Sequence, residues 1–206
     1  MTYSILAVSK DRSLLGIGVV SGSYDVGSRV PWLKYKIGAV ATQAYTNPSL
    51  GPIILNFIEK GYTAKEALNK SLSLDPGRDF RQVAVLTYDM DKAVYSGKNI
   101  PKPYNQYFSD NVICIGNLLF SENVIISAYK AFTKKDDVIA GIISALEAAH
   151  AEGGDARGDL SSAIILSGDD PRLKNYNGLL KVKIEASSDP VLSLKKMLSK
   201  FIPISI

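Results

Sequence analysis

A threonine stands directly behind the first methionine, Met1-Thr2, and a threonine at a mature N-terminus can be a nucleophile that carries its own base. Its hydroxyl proton passes to its own α-amine, directly or through water. A free α-amine titrates near about 7.7–8, so it works close to neutrality without much tuning. Such chemistry suits a chain with a single histidine, His150, and a single cysteine, Cys114. One histidine excludes a multi-histidine metal centre. A Ser-His-Asp triad would have to use the residue that closes the helical stretch ALEAAHAEGG, where a histidine interacting with the helix C-terminus is the simpler reading. Neither GxxxxGK[ST] nor GxGxxG occurs, so phosphate-loop and dinucleotide chemistry lack support. By position alone Thr2 is an ordinary small second residue, and the rest of the chain has to decide.

Two other places draw attention. Asn117 lies inside the apolar run NVICIGNLLF, where a buried amide needs either hydrogen-bond partners or a part in a site, and Gly116 beside it permits close approach to the backbone. GGDARGDLSS sets Asp155, Arg157 and Asp159 in a glycine-rich loop before a strand. As a surface loop this holds an Arg-Asp pair contributing only about 0–1 kcal/mol, so stability alone does not demand the cluster.

The elements that must position these residues follow from pattern. TYSILAVS and LLGIGVVS are β-rich and joined by a polar turn, which predicts an opening hairpin with Thr2, Ser4, Leu6 and Val8 on one face. VPWLKYKIGAVATQAY predicts two strands broken near Gly38; ILNFIEK a helix ending by Gly61; and AKEALNKSLSL a helix capped by Thr63. RQVAVLTYD and KAVYSG predict a second hairpin, NVICIGNLLF a buried strand, and SENVIISAYKAFTKK and DDVIAGIISALEAAHAEGG two helices. SSAIILSG and LLKVKIEAS return to strand before a closing helix started by Pro190. Strands, two helices, strands, two helices, strands and one helix, without βαβ alternation, predict α+β architecture: antiparallel sheets covered by helices.

Composition bounds the rest. The 206 residues, 46% of them apolar, are enough for one core, so one domain over 1–206 is expected. A lone cysteine allows no intrachain disulfide, and no stretch approaches the ~18 apolar residues of a membrane span, so a cytoplasmic, soluble protein is expected. The net charge of +4 is spread over KYK, YKAFTKK and LKK with no nucleic-acid-reading motif, so no nucleic-acid partner is expected. Abundant Ile and Lys with one Cys suit a thermophile.

The stretches SGSYDVGSRVPWLKYKIGAVATQAYTNPSLGP, DPGRDFRQVAV, IGNLLFSENVI and GGDARGDLSSAIIL closely resemble motifs of the domain-of-unknown-function family 1028, grouped with the N-terminal nucleophile (Ntn) hydrolases. The resemblance runs from Thr2 to about Leu166. It implies a four-layer αββα sandwich like a proteasome β-subunit, with Thr2 in the nucleophile's place. It implies a lysine on the strand after the opening hairpin, for which Lys34 is the candidate, with Lys36 two residues on; an exposed edge strand is the alternative for both. Ser21 and Ser23 stand where such enzymes often carry an Asp-Ser pair, and are otherwise turn serines. Gly22 departs from the family, which often has a basic residue there. Gln43 and Asn47 follow the strand whose end supplies an oxyanion-stabilising N–H and could add donors, although Asn47-Pro48 is also an ordinary turn. Asp155 or Asp159, with Ser161, corresponds to groups that support the nucleophile.

The expected function is therefore an N-terminal-threonine hydrolase of an amide or related C–N bond. It would need no metal or cofactor and would act on a small-molecule amide, a carboxylated one if Arg157 and the lysines bind it. This fold class often assembles through its helix layers, so a homo-oligomer is expected. The alternative is a non-catalytic metabolite-binding or assembly protein on the same fold.

Overall fold

The computed structural model describes residues 2–204. Strands β1 (Thr2–Val8) and β2 (Leu14–Ser21) form the opening hairpin, with Thr2 opposite Ser21 and Val8 opposite Leu15. β3 (Pro31–Lys34) and β4 (Gly38–Ala44) follow, then α1 (Leu50–Glu59) and α2 (Ala64–Ser73). A capping box starts α2: Thr63 Oγ1 accepts from Glu66 N, and the Glu66 carboxylate accepts from Thr63 N.

β5 (Arg81–Thr87) and β6 (Lys92–Ser96) make the second hairpin. Then come β7 (Tyr104–Phe108), β8 (Val112–Asn117), α3 (Asn123–Phe132), α4 (Val138–Ala151), β9 (Ser161–Gly168), β10 (Leu179–Ile184) and α5 (Pro190–Leu198). β7 has no counterpart among the strands expected from the sequence. Its residues YNQYF are mostly exposed at the sheet edge, so no buried alternation marks them as a strand.

Every pairing is antiparallel, in a six-stranded sheet ordered β10-β9-β2-β1-β8-β7 and a four-stranded sheet ordered β3-β4-β5-β6. Side-chain alternation sorts three cores. Leu6, Val8, Ile17, Val19, Ile113 and Ile115 of the larger sheet meet Ala39, Ala41, Ala84 and Leu86 of the smaller one. On its other face the larger sheet packs Tyr3, Ile5, Ala7 and Cys114 against α3, α4 and α5. The smaller sheet packs Val40, Val83 and Val85 against α1 and α2. β2 and α4 approach closely because Gly16 and Gly18 lack side chains: a Cβ at either would stand 2.6 Å from Ile142. The chain is thus α+β, with two antiparallel sheets and helices on their outer faces. No helix among the described residues is long and apolar enough to cross a membrane.

Candidate functional site

The core between the sheets changes character at one end. Thr2 and Ser4 continue the face that carries Leu6 and Val8; Ser21 continues Val19, and Asn117 continues Ile115. From the opposite sheet Gln43 lies in register with Gln82, one alternation step beyond Ala41 and Ala84. Thr2 is 4% exposed and the other five are fully buried. An apolar layer therefore ends in a layer of hydroxyls and amides, which is stable only when those groups satisfy one another.

They do so in one definite arrangement. Gln43 Nε2 donates to the backbone carbonyl of Thr2 at 3.0 Å, and Gln82 Nε2 donates to that of Gly116 at 3.2 Å. A carbonyl can only accept, so both amide orientations are fixed. Gln82 Oε1 then accepts from Gln43 Nε2 at 2.8 Å and from Asn117 Nδ2 at 2.9 Å, and Gln43 Oε1 accepts from Ser4 Oγ at 2.6 Å. Asn117 Oδ1 has no partner among the described residues. Thr2 Oγ1 donates to Ser21 Oγ at 3.2 Å, and Ser21 Oγ also accepts from Ser23 N at 3.2 Å. Ala44 and Leu118, which directly follow Gln43 and Asn117, both hold left-handed backbone, with φ of 68° and 45°. That conformation costs a non-glycine residue of order 1–3 kcal/mol and is often found at functional sites.

The loop of Asp155 closes on this end. Asp155 Oδ2 accepts from Gly22 N at 2.8 Å, and the Arg157 fork grips both carboxylate oxygens, Nε at 3.0 Å and Nη2 at 2.9 Å. Burial pushes the Asp155 carboxyl up, but the Arg157 guanidinium and the N–H groups of Gly22 and Arg157 outweigh it and hold the group below its ordinary value. Arg157 Nη2 also donates to Ser23 Oγ at 3.2 Å, and Ser161 Oγ donates to Ser23 O at 2.5 Å. Gly22 leaves no room for a side chain: a Cβ would stand 2.6 Å from Gly158 O and 2.8 Å from Asp155 Oδ1.

Several expected residues are placed elsewhere. Lys34 pairs with Gly38 at the far end of β4, five residues and about 17 Å along the strand from Gln43. Its Nζ meets Glu59 of α1 at 2.5 Å on the outer face of the sheet, so it is not brought to Thr2. Lys36 lies in the β3–β4 turn, with φ of 56°, and pairs with Asp169. Asn47 is held in its own turn, where its Oδ1 accepts from Ser49 N. Gln43 commits both amide hydrogens to Thr2 O and Gln82, so it pins β1 and has no donor left for a substrate. Ser161 bonds Ser23 O and Val26 N, which shapes the chain after β2 and does not touch Thr2.

Asp159 lies on the opposite side of the larger sheet from the Thr2 hydroxyl. Tyr3 OH donates to its Oδ2 at 2.7 Å, His150 Nδ1 is 2.7 Å from the same oxygen, and Asp155 N donates to Oδ1 at 3.0 Å. Burial first, then the charge of Asp159, pushes the Tyr3 phenol well above its usual range. His150 does occupy the last turn of α4, but its ring serves Asp159 and not the helix carbonyls. Ser4, Gln82, Tyr3 and His150 escaped the sequence reading as site residues. For Gln82 a signal existed: it is the polar member of the inward-facing set Gln82, Ala84, Leu86.

Two clefts of about 530 and 540 Å³ lie at the other end of β1 and β2, the first lined by Ser9, Asp11, Ser13, Asp137 and Arg172, the second by Tyr35, Gly168 and Asp169. Among the described residues no group of His, Cys, Asp and Glu is arranged to hold a metal ion.

The family model described as "Family of unknown function (DUF1028)" matches residues 2–194. The crystal structure of protein SPO2555 from Silicibacter pomeroyi, itself assigned to DUF1028, is 26% identical and superposes with a TM-score of 0.87 over 97% of this chain and 85% of that one. Anbu, an ancestral β-subunit from Yersinia bercovieri, aligns over 99% of this chain and 100% of its own with 8% identity and a TM-score of 0.39, too weak a likeness to argue from. No curated protein gives a match.

Proposed function

The chain belongs to the DUF1028 family, whose function is unknown, and from that premise we propose that Thr2, as the mature N-terminal residue, is the nucleophile of a hydrolase acting on an amide or related C–N bond. The observation that carries the reading is the placement of Thr2. Its hydroxyl rests on Ser21 Oγ and its carbonyl is pinned by Gln43, one residue pair from the Asp155–Arg157 loop that grips Gly22 and Ser23. On this reading the two-sheet, helix-covered fold is one Ntn-hydrolase-like domain, a four-layer αββα sandwich, working in the cytoplasm as a homo-oligomer on a small amide.

The reaction needs no metal or cofactor. Thr2 Oγ attacks the carbonyl carbon, and its proton moves to the α-amine. The tetrahedral intermediate collapses with cleavage of the C–N bond, and the leaving nitrogen takes the proton from the amine. Water, deprotonated by the same amine, then attacks the resulting ester and releases the acid, restoring Thr2. Asn117 keeps donor and acceptor capacity after bonding Gln82, which suits it to a charge that develops beside Thr2. Arg157 is already paired with Asp155, so a substrate carboxylate would have to compete with that bond, and a carboxylated substrate is not part of the proposal.

The test is the intact mass of protein from its native host, before and after exposure to a small β-lactone, with the adduct located by fragmentation. One adduct on an N-terminal Thr2, absent in Thr2→Ala, is the expected result. Retention of Met1 would end the mechanism, because the free amine would then sit one residue too early. A second reading, a metabolite-binding protein without catalysis, is favoured by the two clefts far from Thr2 and by the burial of Thr2 itself. Full function of Thr2→Ala in the host would support it.

A further inference from the structure

Asp159 makes no bond to Thr2, yet both of its carboxylate oxygens are engaged behind the site. Its side chain is 1% exposed. One oxygen accepts from the Tyr3 phenol and faces His150 Nδ1; the other accepts from the backbone N–H of Asp155. A buried carboxylate is costly unless its lone pairs are satisfied, and three donors converging on one group fix its position closely. A carboxylate can only accept, so against an ionised Asp159 the donor in this contact is His150 Nδ1. Gly154 packs directly on it: a Cβ there would stand 2.5 Å from Asp159 Oδ2.

From Asp159 the bonds run toward the nucleophile. The Asp155 backbone it holds carries the carboxylate that accepts from Gly22 N, while Arg157 joins that carboxylate to Ser23 Oγ. Ser23 N donates to Ser21 Oγ, which accepts from Thr2 Oγ1. Tyr3 and Thr2 are adjacent on β1 and face opposite sides of the sheet, so the clamp grips the strand of the nucleophile from behind as well as through the loop.

We propose that Asp159, held by Tyr3 and His150, is the positioning residue of the site: it fixes the Asp155–Arg157 loop and thereby the Ser21–Thr2 pair, while touching no reacting atom. The inference rests on Thr2 being the nucleophile. His150 is the member to perturb, because its side chain is 38% exposed and its replacement leaves no large cavity.

The experiment compares His150→Leu, which removes the donor, with His150→Asn, which keeps an N–H at the δ position. β-Lactone acylation of Thr2 is resolved into a maximal rate constant and a half-saturation constant, and amide hydrogen exchange is followed at Asp155 and Gly22. His150→Leu is expected to lower the maximal acylation rate about tenfold with half-saturation and melting temperature little changed, since small misplacements of reacting groups have effects of that size. Exchange at Asp155 and Gly22 should accelerate in the same variant, and His150→Asn should recover most of both. Equal acylation rates in wild type, His150→Leu and His150→Asn would overturn the clamp while leaving Thr2 as nucleophile. A wild-type protein in which the β-lactone never labels Thr2 would instead overturn the underlying reading and this inference with it, whatever the exchange rates.

Discussion

The two ends of β1 carry polar groups under opposite conditions. At Thr2 the hydroxyls and amides are buried, bonded to one another with fixed orientations, and almost uncharged. At the Val8 end the turn into β2 carries Asp11 bonded to Ser9 and Ser13, and the ion pair Arg12–Asp89 has side chains 56% and 78% exposed. Water can replace any of these exterior bonds at little cost, whereas a buried donor or acceptor that loses its partner keeps the full penalty. One end of the strand is therefore specified atom by atom, and the other tolerates change.

The largest expected effect on folding belongs to Gln82→Leu. It strips partners from Gly116 O, Gln43 Nε2 and Asn117 Nδ2 at once, and each buried orphan costs about 1–3 kcal/mol. Urea unfolding should show a loss of about 3 kcal/mol or more; a loss under about 1 kcal/mol would mean that the buried end relaxes as freely as the exposed one.

A smaller effect appears at high pH. The Tyr3 phenol titrates well above its ordinary value in the folded chain, so its contribution to stability is fully present below about pH 10, the unfolded value, and is lost as pH rises beyond it. Tyr3→Phe should flatten the alkaline limb of a melting-temperature profile relative to wild type. Identical limbs would show that the phenol is not held as the structure has it.

Asp155 gives the mirror case at low pH. Its folded value lies below the ordinary one near 3.9, so its contribution is present above that pH and is lost as pH falls through the depressed folded value. Asp155→Asn should shallow the acid limb of the same profile. The smallest change is Arg12→Ala at the exposed end, which should leave the melting temperature where it is. A clear drop there would erase the contrast between the two ends.

Local pattern made much of the fold legible. The alternation TYSILAV and LLGIGVVS predicted the hairpin and the shared face of Thr2, Ser4, Leu6 and Val8, and Thr63 with Glu66 marked the start of α2. β7 was missed because an exposed edge strand has no buried period to show. Asn117 is legible as a polar residue in an apolar run, and the structure returns it as a buried amide whose oxygen has no partner among the described residues. Lys34 was misplaced because its strand could be read from the sequence but the register could not: pairing with Gly38 sends it to the far end of the sheet.

What the sequence determined by itself is whatever depends on neighbours in the chain: periodicity, caps, turns, the small polar residue at position 2, and the scarcity of histidine and cysteine that narrows the chemistry. What only the tertiary structure decided is which polar residues meet. Gln43 and Gln82 reach Thr2 and Asn117 from the opposite sheet, and His150 finds Asp159 on the loop beyond its helix. Those contacts depend on strand register and on how two sheets and a helix layer stack, and these are set by burial of apolar surface over the whole chain rather than by any residue's immediate sequence.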